Sequence, residues 1–532
     1  MATSVYFGGK TRKLPGTYST VVSGIKTETA ISTYGNVLLI DAGAGKGFNA
    51  AVGLRGHGKE TILALEQDEA NTVIRGGALK PVIEALFKPA TGVPGVSTLY
   101  LLKAAETTPA SIASFSLFGG AITATKVKTK DEGTVCNTVV DNIGTVDDPN
   151  EVLRQGYLFK SLYNADEKKA FVEIWLGTYQ GTNSKGYQIG VKRENSGPTL
   201  VFRSRRCSTP KQLVEVLSNS SEFNSILSVE GLTAAADTFT STDGEVLKFT
   251  GATETYMDNI TEVFGYLHDI DYSYAMVLEE NGTQNFATSL YDFIKDEAKD
   301  IKQMITYDGV FDAAIALASQ YNDDAVIVAS GVVKKTSNSS PDGFIVHDPM
   351  VSAAYVVGRI CGLSPEISAT MKSIGIDGMD VEPSTTNLED MLDGGVLCPY
   401  YDSDLGYYCL SQAVNSLQKN SNFINEDCTT YSIQAKRIIA QVMKNLQQRA
   451  KIEFWGGETG VNRGTLSDAY LRAWTKGKLE SLTVSQDKTE NNYLLTYEVT
   501  KIETNEDNKF VYFTFTVNGE VSKVFFTGVV LG

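Results

Sequence analysis

The sequence predicts a multidomain α/β protein, with a mainly β domain inserted into an α/β core and extended arms at both ends. The chain has 532 residues, 42% of them apolar, which is enough for several cores and too many residues for one ordinary domain. Strand and helix patterns alternate in residues 26–120 and 253–480, whereas short strands crowd residues 121–252. The two terminal stretches, 1–25 and 481–532, show no pattern of a self-sufficient core.

Residues 1–25 predict an N-terminal arm. The opening MATSVYFGGKTRKLPG is basic, with Lys10 among its cations, and rich in glycine, so we expect it to become ordered only against something else. It has no apolar core of the kind that secretory signal peptides carry. No stretch of about eighteen apolar residues occurs in the chain either. We therefore expect the protein to fold in a cytoplasm without membrane insertion.

The first α/β part, residues 26–120, reads as a strand–helix–strand unit. Residues 37–40 form a short apolar strand, and the stretch GGALKPVIEALFK from Gly76 repeats apolar residues at helical spacing. STLYLLKA from Ser97 predicts the next strand. A strand, a helix and a second strand in this order are typical of a parallel sheet covered by helices.

A glycine-rich turn, AGAGKGFN, follows the first strand and resembles a phosphate-binding loop. A P-loop needs glycine six positions before its lysine and Ser or Thr directly after it, but Ile40 and Gly47 stand at those positions around Lys46. The dinucleotide pattern fails as well, because Phe48 replaces its third glycine. The spacing favours a mobile glycine loop with Lys46 as a surface charge, and leaves an α/β nucleotide-binding enzyme as the weaker alternative.

Residues 121–252 predict the inserted mainly β domain. Candidate strands are AITATKVK from Ala121, FVEIWLGTY from Phe171, YQIGVKR from Tyr187 and TLVFRSR from Thr199. A helix starting at Pro210 follows them. Short strands separated by turn residues are the usual signature of an antiparallel β domain.

Residues 253–480 predict the α/β core domain. DDAVIVASGVV from Asp323 reads as a buried central strand, and MVSAAYVVGRICGL from Met350 is apolar nearly all round, which predicts a buried helix. Residues 432–454 predict a long amphipathic helix. Its apolar stripe includes Ala435, Ile439, Val442 and Leu446. Its basic face consists of Lys436, Arg437 and Lys444, with Arg449 further round the helix.

Residues 481–532 predict a C-terminal β segment and arm. In KFVYFTFTV, four apolar residues alternate with Tyr512, Thr514 and Thr516, which is the period of a strand with one buried face. These four are Val511, Phe513, Phe515 and Val517. Asn518 and Gly519 predict a tight turn after the strand. A segment this rich in aromatic and β-branched residues favours strand addition at its edge.

Charge and residue usage exclude several functional classes. The formal net charge of −16 argues against nucleic acid as a partner. The six cysteines lack C-x-x-C spacing and the three histidines lie far apart, so we expect no metal site. No G-x-S-x-G motif occurs. We therefore expect no catalytic residues and no cofactor. A basic helix face such as that at 432–454 is usually solvated, but in so acidic a chain it is a local exception, which leaves a docking surface open as an alternative.

An ordered series of weak motifs runs along nearly the full chain. It starts with Pro15-Gly16-Thr17-Tyr18 where the arm enters the fold, and continues through residues 35–41, the helix and strand at 76–104, and EGTVCN at 132–137. In the second half it includes residues 348–362, VNSLQ at 414–418, the helix and loop at 432–462, and KGKLESLTV from Lys476. Cys136, Met350, Tyr355 and Ser416 depart from the pattern.

By the order and spacing of these motifs, the chain resembles contractile tail sheath proteins of contractile-tailed bacteriophages and related contractile injection systems. The resemblance implies a structural subunit, not an enzyme, that stacks as six-fold rings around an inner tail tube. Contraction of the sheath then drives the tube through a host cell envelope. It implies localisation in a virion tail assembled in the bacterial cytoplasm, with the tube, baseplate and tail terminator proteins as partners.

The resemblance also assigns interfaces to particular residues. The arm around Lys10, Pro15, Gly16 and Tyr18 and the strand at 509–517 are expected to add strands to the sheets of neighbouring subunits. The helix at 432–454 is expected to face the tube through Lys436, Arg437, Lys444 and Arg449. A capsid or baseplate protein stays open as an alternative structural role.

Overall fold

The computed structural model describes residues 5–7, 10–12, 35–43, 62–74, 79–112, 115–117, 120–132, 154–160, 170–181, 184–193, 200–203, 205, 207–239, 251, 253–257, 260–268, 270–279, 286–297, 301–336, 344–417, 431–455, 466–485, 492–505 and 508–518.

Strands and helices follow one another along the chain in the order below. The strands of the first half are β1 (Val5–Phe7), β2 (Lys10–Arg12), β3 (Asn36–Ala42), β4 (Leu63–Leu65), β5 (Thr98–Lys103), β6 (Ala105–Thr107), β7 (Pro109–Ile112), β8 (Phe115–Leu117), β9 (Ile122–Ala124), β10 (Lys126–Glu132), β11 (Arg154–Lys160), β12 (Ala170–Gly181), β13 (Ser184–Arg193), β14 (Leu200–Arg203), β15 (Leu227–Glu230), β16 (Thr233–Ala234) and β17 (Glu254–Tyr256). Those of the second half are β18 (Tyr274–Glu279), β19 (Gln303–Asp308), β20 (Val326–Ser330), β21 (Val333–Thr336), β22 (Phe344–Val346), β23 (Gly378–Met379), β24 (Val396–Leu397), β25 (Pro399–Asp402), β26 (Tyr407–Leu410), β27 (Leu494–Asn505) and β28 (Asn508–Val517). The helices are α1 (Gln67–Val73), α2 (Leu79–Phe87), α3 (Pro210–Asn219), α4 (Ser221–Ile226), α5 (Thr261–Leu267), α6 (Phe286–Glu297), α7 (Phe311–Tyr321), α8 (Pro349–Cys361), α9 (Thr385–Asp393), α10 (Ile433–Ala450) and α11 (Asp468–Ser481).

A seven-stranded sheet forms the centre of the α/β domain, in the order β24-β20-β19-β18-β3-β5-β4. Each neighbouring pair is parallel except β4 and β5, which run antiparallel. The strand β3 lies near the middle and is buried along its whole length. A parallel sheet with helices on its faces explains why β3, β18 and β20 read as nearly continuous apolar runs.

The predicted strand–helix–strand unit is confirmed as β3, α2 and β5. The predicted central strand from Asp323 is β20, and the predicted buried helix is α8, in which nearly every residue is buried. α8 packs against α2 and against β19 and β20. Gly358 permits this close approach, because a Cβ there would lie 2.6 Å from the carbonyl oxygens of Ala85 and Leu86.

The middle of the chain is antiparallel β structure. β11 to β14 form a four-stranded antiparallel meander, and three smaller sheets join β15-β10-β7, β16-β9-β8 and β17-β6. The strands described within residues 121–252 pair antiparallel, whereas the bounds of the inserted domain stay a prediction. The strands β6 to β8 precede residue 121 but belong to these antiparallel sheets as well. They pair with β17, β10 and β9, respectively, which lie beyond residue 121.

Candidate functional site: the C-terminal hairpin and the helix beneath it

The strands β27 and β28 form a long antiparallel hairpin, paired from Leu494 and Val517 at one end to Asn505 and Asn508 at the other. One face of this hairpin packs on α10 and α11 in a core separate from that of the α/β domain. The buried members of this second core are Ala435, Ile438, Val442, Leu479, Leu482, Tyr493, Leu494 and Val517.

The predicted alternation along β28 is confirmed. Phe513, Phe515 and Val517 face the helices, and Val511, on the same side, is half-buried. The alternate residues are exposed and comprise Tyr512, Thr514 and Thr516. Gly519, the second residue of the predicted turn, lies outside the described residues, as do all those after it.

Within the described ranges, β28 pairs with β27 and with no other strand along the outer edge of the hairpin. A strand edge presents a row of N–H and C=O groups that can pair with another chain. An isolated two-stranded hairpin is only marginally stable. The packing of this hairpin on α10 and α11 therefore stabilises it, and a strand added at its edge would stabilise it further.

The basic face of α10 points into the subunit, which corrects the expectation of an outward-facing surface for three of its four cations. Lys436, Arg437 and Lys444 are 4%, 7% and 6% exposed. Lys436 Nζ lies 2.9 Å from Asp324 Oδ1, and Lys444 Nζ lies 2.5 Å from Asp271 Oδ1.

Arg437 is held by main-chain carbonyls, since its guanidinium donates to the carbonyl of Leu363 and, at 3.3 Å, to that of Ile367. A cation is buried only when it is paired or hydrogen-bonded, and the α/β domain supplies these partners to all three buried residues. Arg449 is exposed, and the contact with the tube predicted for it stays a prediction.

α10 crosses the amino-terminal edge of the parallel sheet. A small cavity of about 40 Å³ lies between the helix and this edge, lined on the sheet side by Gly35, Ser273, Tyr274 and Gln303. These residues precede or begin β3, β18 and β19. Asp271 and Asp324 also lie just before β18 and β20, so the partners of the buried lysines come from the same edge.

The N-terminal arm is described only in part. β1 and β2 pair with each other as an antiparallel hairpin, with Val5 opposite Arg12 and Phe7 opposite Lys10. Lys10 therefore belongs to a strand, as strand addition requires. Pro15, Gly16 and Tyr18 lie outside the described residues, so the role predicted for them stays a prediction.

The carboxyl edge of the central sheet is where open α/β sheets bind ligands, and here it carries carboxylates. Asp41, at the end of β3, is buried and accepts a hydrogen bond from the Gly43 N–H at 3.2 Å. Glu279, at the end of β18, accepts from the N–H groups of Phe286 and Ala287 at 3.0 and 3.1 Å. These two N–H groups begin α6.

Burial raises the pKa of Glu279, and the two N–H groups oppose that rise. A phosphate would need the same N–H groups and would meet the negative charge of Asp41 and Glu279. At the start of α6, these two carboxylates therefore disfavour a bound phosphate. Lys46 lies outside the described residues.

Across the described ranges, no group of three or more His, Cys, Asp and Glu side chains could hold a metal ion. None of the helices in this part of the chain has the length and apolarity needed to cross a membrane.

Comparison with known proteins identifies relatives by structure. No family model and no curated protein matches the sequence. A sheath tail protein from Desulfitobacterium hafniense has the same fold, with a TM-score of 0.50 and 11% identity over 94% of this chain and 100% of that chain. The sheath tail protein of Listeria innocua aligns with a TM-score of 0.47 and 13% identity over 91% of this chain and 96% of its own.

The helical sheath of the anti-feeding prophage in its contracted state gives a TM-score of 0.37 and 9% identity over 52% of this chain and 78% of that chain. The likeness to the Desulfitobacterium hafniense protein spans nearly all of both chains. The resemblance predicted from the motifs is therefore confirmed at the level of the fold, which is a multidomain α/β architecture.

Proposed function

We propose that this chain is the structural subunit of a contractile tail sheath. In this role it polymerises as stacked six-fold rings around an inner tail tube and contracts to drive the tube through a host cell envelope. The observation that carries the proposal is the C-terminal hairpin, which is two-stranded within the described residues, in a chain that has the fold of a sheath tail protein.

The physical argument for polymerisation rests on main-chain hydrogen bonds. An added strand along β28 gains bonds in proportion to its length, and these bonds survive rotation of the domains on either side. Contacts between any two subunits can be modest, because a polymer sums many identical contacts. The N-terminal arm, including Lys10, Pro15, Gly16 and Tyr18, is the segment of a neighbouring copy that we assign to this edge.

The proposal places the subunit in a virion tail assembled in the bacterial cytoplasm, with tube, baseplate and terminator proteins as partners. On α10 the contact with the tube falls to Arg449, because Lys436, Arg437 and Lys444 are used inside the subunit. The net charge of −16 is compatible with a particle that does not bind nucleic acid.

Deletion of residues 1–20 tests the proposal. Wild-type protein should form tubes or hexameric rings in negative-stain electron microscopy. The deletion should give folded monomers, with unchanged circular dichroism, that form neither. A matched deletion of residues 1–4, which spares β1 and β2, should retain assembly.

Normal long tubes from the 1–20 deletion would refute the role of the arm. A wild-type protein that stays monomeric and binds a nucleotide saturably in calorimetry would instead favour the enzyme alternative.

A further inference from the structure

α10 joins two separate cores. Its apolar face belongs to the core that it shares with α11 and the hairpin, and none of the described residues of the α/β domain contributes to that core. A further cluster of Ala450, Phe454 and Leu471 extends the same unit. We call α10, α11 and the hairpin β27–β28 the C-terminal unit. Because both of these clusters lie inside the unit, the unit has its own source of stability.

The opposite face of α10 meets the α/β domain through polar contacts. Besides Lys436–Asp324, Lys444–Asp271 and the Arg437 contacts, Gln434 Nε2 donates to the carbonyl of Glu366 at 2.6 Å. Among the described residues, the apolar contacts across this interface involve Ile433, which belongs to the α/β core, and Ile301, which packs against Ala440 and Met443.

α10 is attached to the α/β domain in one way at its start and in another way at Lys444. At the amino end, the main chain itself is bound, since the Ile433 N–H donates to the Ala413 carbonyl at 3.1 Å and the Asn415 N–H donates to the Tyr431 carbonyl at 2.9 Å. At Lys444, eleven residues later and about 16 Å along the helix, the attachment includes the side-chain pair with Asp271.

An interface of this kind can open reversibly. Both members of an ion pair recover hydration when they separate together, so a buried pair gives little net stability compared with apolar packing of the same size. The cavity beside Lys436 and Lys444 removes packing contacts from the same interface. Apolar side chains gain no favourable hydration when they separate, so the apolar core on the other face of α10 stays closed.

We propose that the C-terminal unit moves as one body, pivoting about the start of α10, and that the Lys444–Asp271 pair is the latch that holds it closed. The pivot is a property of the isolated subunit. Its use in contraction, where a hairpin bound to neighbours would move against the α/β domain, rests on the proposed function.

Thiol labelling of the full-length protein tests the latch. One reporter is Gln441→Cys, which faces the cavity and is 5% exposed. The matched reporter is Ala435→Cys, also on α10 but in the internal core and 2% exposed. The native Cys398, fully buried in the α/β domain, reports general unfolding. Each site is read separately by maleimide labelling and peptide mass spectrometry.

Asp271→Asn removes the carboxylate charge that pairs with the buried Lys444 and should open the latch. We expect at least tenfold faster labelling at position 441, with unchanged labelling at position 435 and at Cys398. Lys444→Ala is a milder second variant for use if Asp271→Asn fails to fold, and it should give the same pattern. The double variant Asp271→Leu/Lys444→Met replaces the pair by apolar contact and should return labelling at 441 to the original rate or below.

Equal acceleration at 435 and 441 would mean that the unit comes apart, and it would overturn the proposal. Unchanged labelling at 441 in both Asp271→Asn and Lys444→Ala would overturn it too. The measurement uses unassembled subunits, so failure of the latch is distinguishable from failure of the sheath assignment, which is read from tubes and rings.

Discussion

Replacing Lys302 with methionine should stabilise the α/β domain at neutral pH. Lys302 is 3% exposed, and its Nζ lies 3.7 Å from the centre of the Tyr272 ring. The carbonyls of Leu267 and Ile270 accept from it at 3.4 Å. Burial lowers the pKa of Lys302 from 10.5 to about 7, Asp271 opposes that change and Lys444 adds to it.

The size of the change in the free energy of unfolding follows from the lowered pKa of Lys302 and from its contact with the Tyr272 ring. A fall from 10.5 to about 7 corresponds to about 5 kcal/mol against the charged form, at about 1.4 kcal/mol for each pKa unit. The contact between the cation and the desolvated Tyr272 ring recovers about 2 kcal/mol. Methionine fills similar space without a charge, so we expect Lys302→Met to raise the free energy of unfolding by about 2–3 kcal/mol at pH 7.

The pH dependence has a definite sign. Between about pH 7 and 10.5, the unfolded chain holds a proton on Lys302 that the folded chain has lost, so the stability of the wild type rises with pH in this window. Below about pH 7 the folded chain bears the full free-energy cost of burying the charged Lys302, and above pH 10.5 this cost vanishes because both states have lost the proton. The advantage of Lys302→Met should therefore be largest near pH 7 and shrink as the pH approaches 10.

Urea unfolding followed by circular dichroism at pH 7 and pH 9.5 measures both effects. Lys295→Met is the matched control, because Lys295 is exposed and its Nζ lies 5.5 Å from the Tyr291 ring. It should change the free energy of unfolding by less than about 0.5 kcal/mol. A lower urea midpoint for Lys302→Met, or an advantage equal at both pH values, would refute the reasoning.

Two further predictions concern helix packing and an acidic ion pair. Gly358→Ala in α8 should lower the free energy of unfolding by about 2 kcal/mol because its Cβ would meet two carbonyls of α2. Gly477→Ala in α11, where a Cβ meets nothing within 4 Å, should raise it by up to about 1 kcal/mol; urea midpoints that move in the same direction would contradict this contrast. Burial tends to raise the pKa of Glu453, but hydrogen bonds from Lys478 and Trp474 leave it lowered overall, so its stabilising contribution is present above the usual pKa and is lost as pH falls through the lowered value. Trp474 emission should change over that acid range and should not change there in Glu453→Gln, while an identical acid titration in both proteins would exclude this assignment.

Local periodicity predicted the elements whose neighbours are close in sequence. The apolar run of β3, the helical stripe of α2 and the alternation in β28 each carry their own signal, and each is confirmed. The α8 helix was also predictable, because an all-round apolar helix has to be buried.

The direction of the basic face on α10 was not predictable in the same way. Charged faces are usually solvated, and the partners of Lys436 and Lys444 lie 112 and 173 positions earlier in the chain. Asp271 and Asp324 have no distinguishing pattern of their own in the sequence. The parallel sheet brings them to one edge, so the pairing is a consequence of topology that a single sequence does not display.

A helix covered on both faces also limits how α10 meets a partner. The apolar side is closed by α11 and the hairpin, and the basic side is closed by the α/β domain, which leaves a strip near the carboxyl end where Arg449 and Ile452 are exposed. Charge reversal at Lys436 or Lys444 would place a carboxylate against Asp324 or Asp271 inside the subunit, at a cost of several kcal/mol. Lost assembly in those variants would therefore report damage to the subunit, whereas lost assembly on reversing Arg449 in a folded subunit would report a contact with the tube.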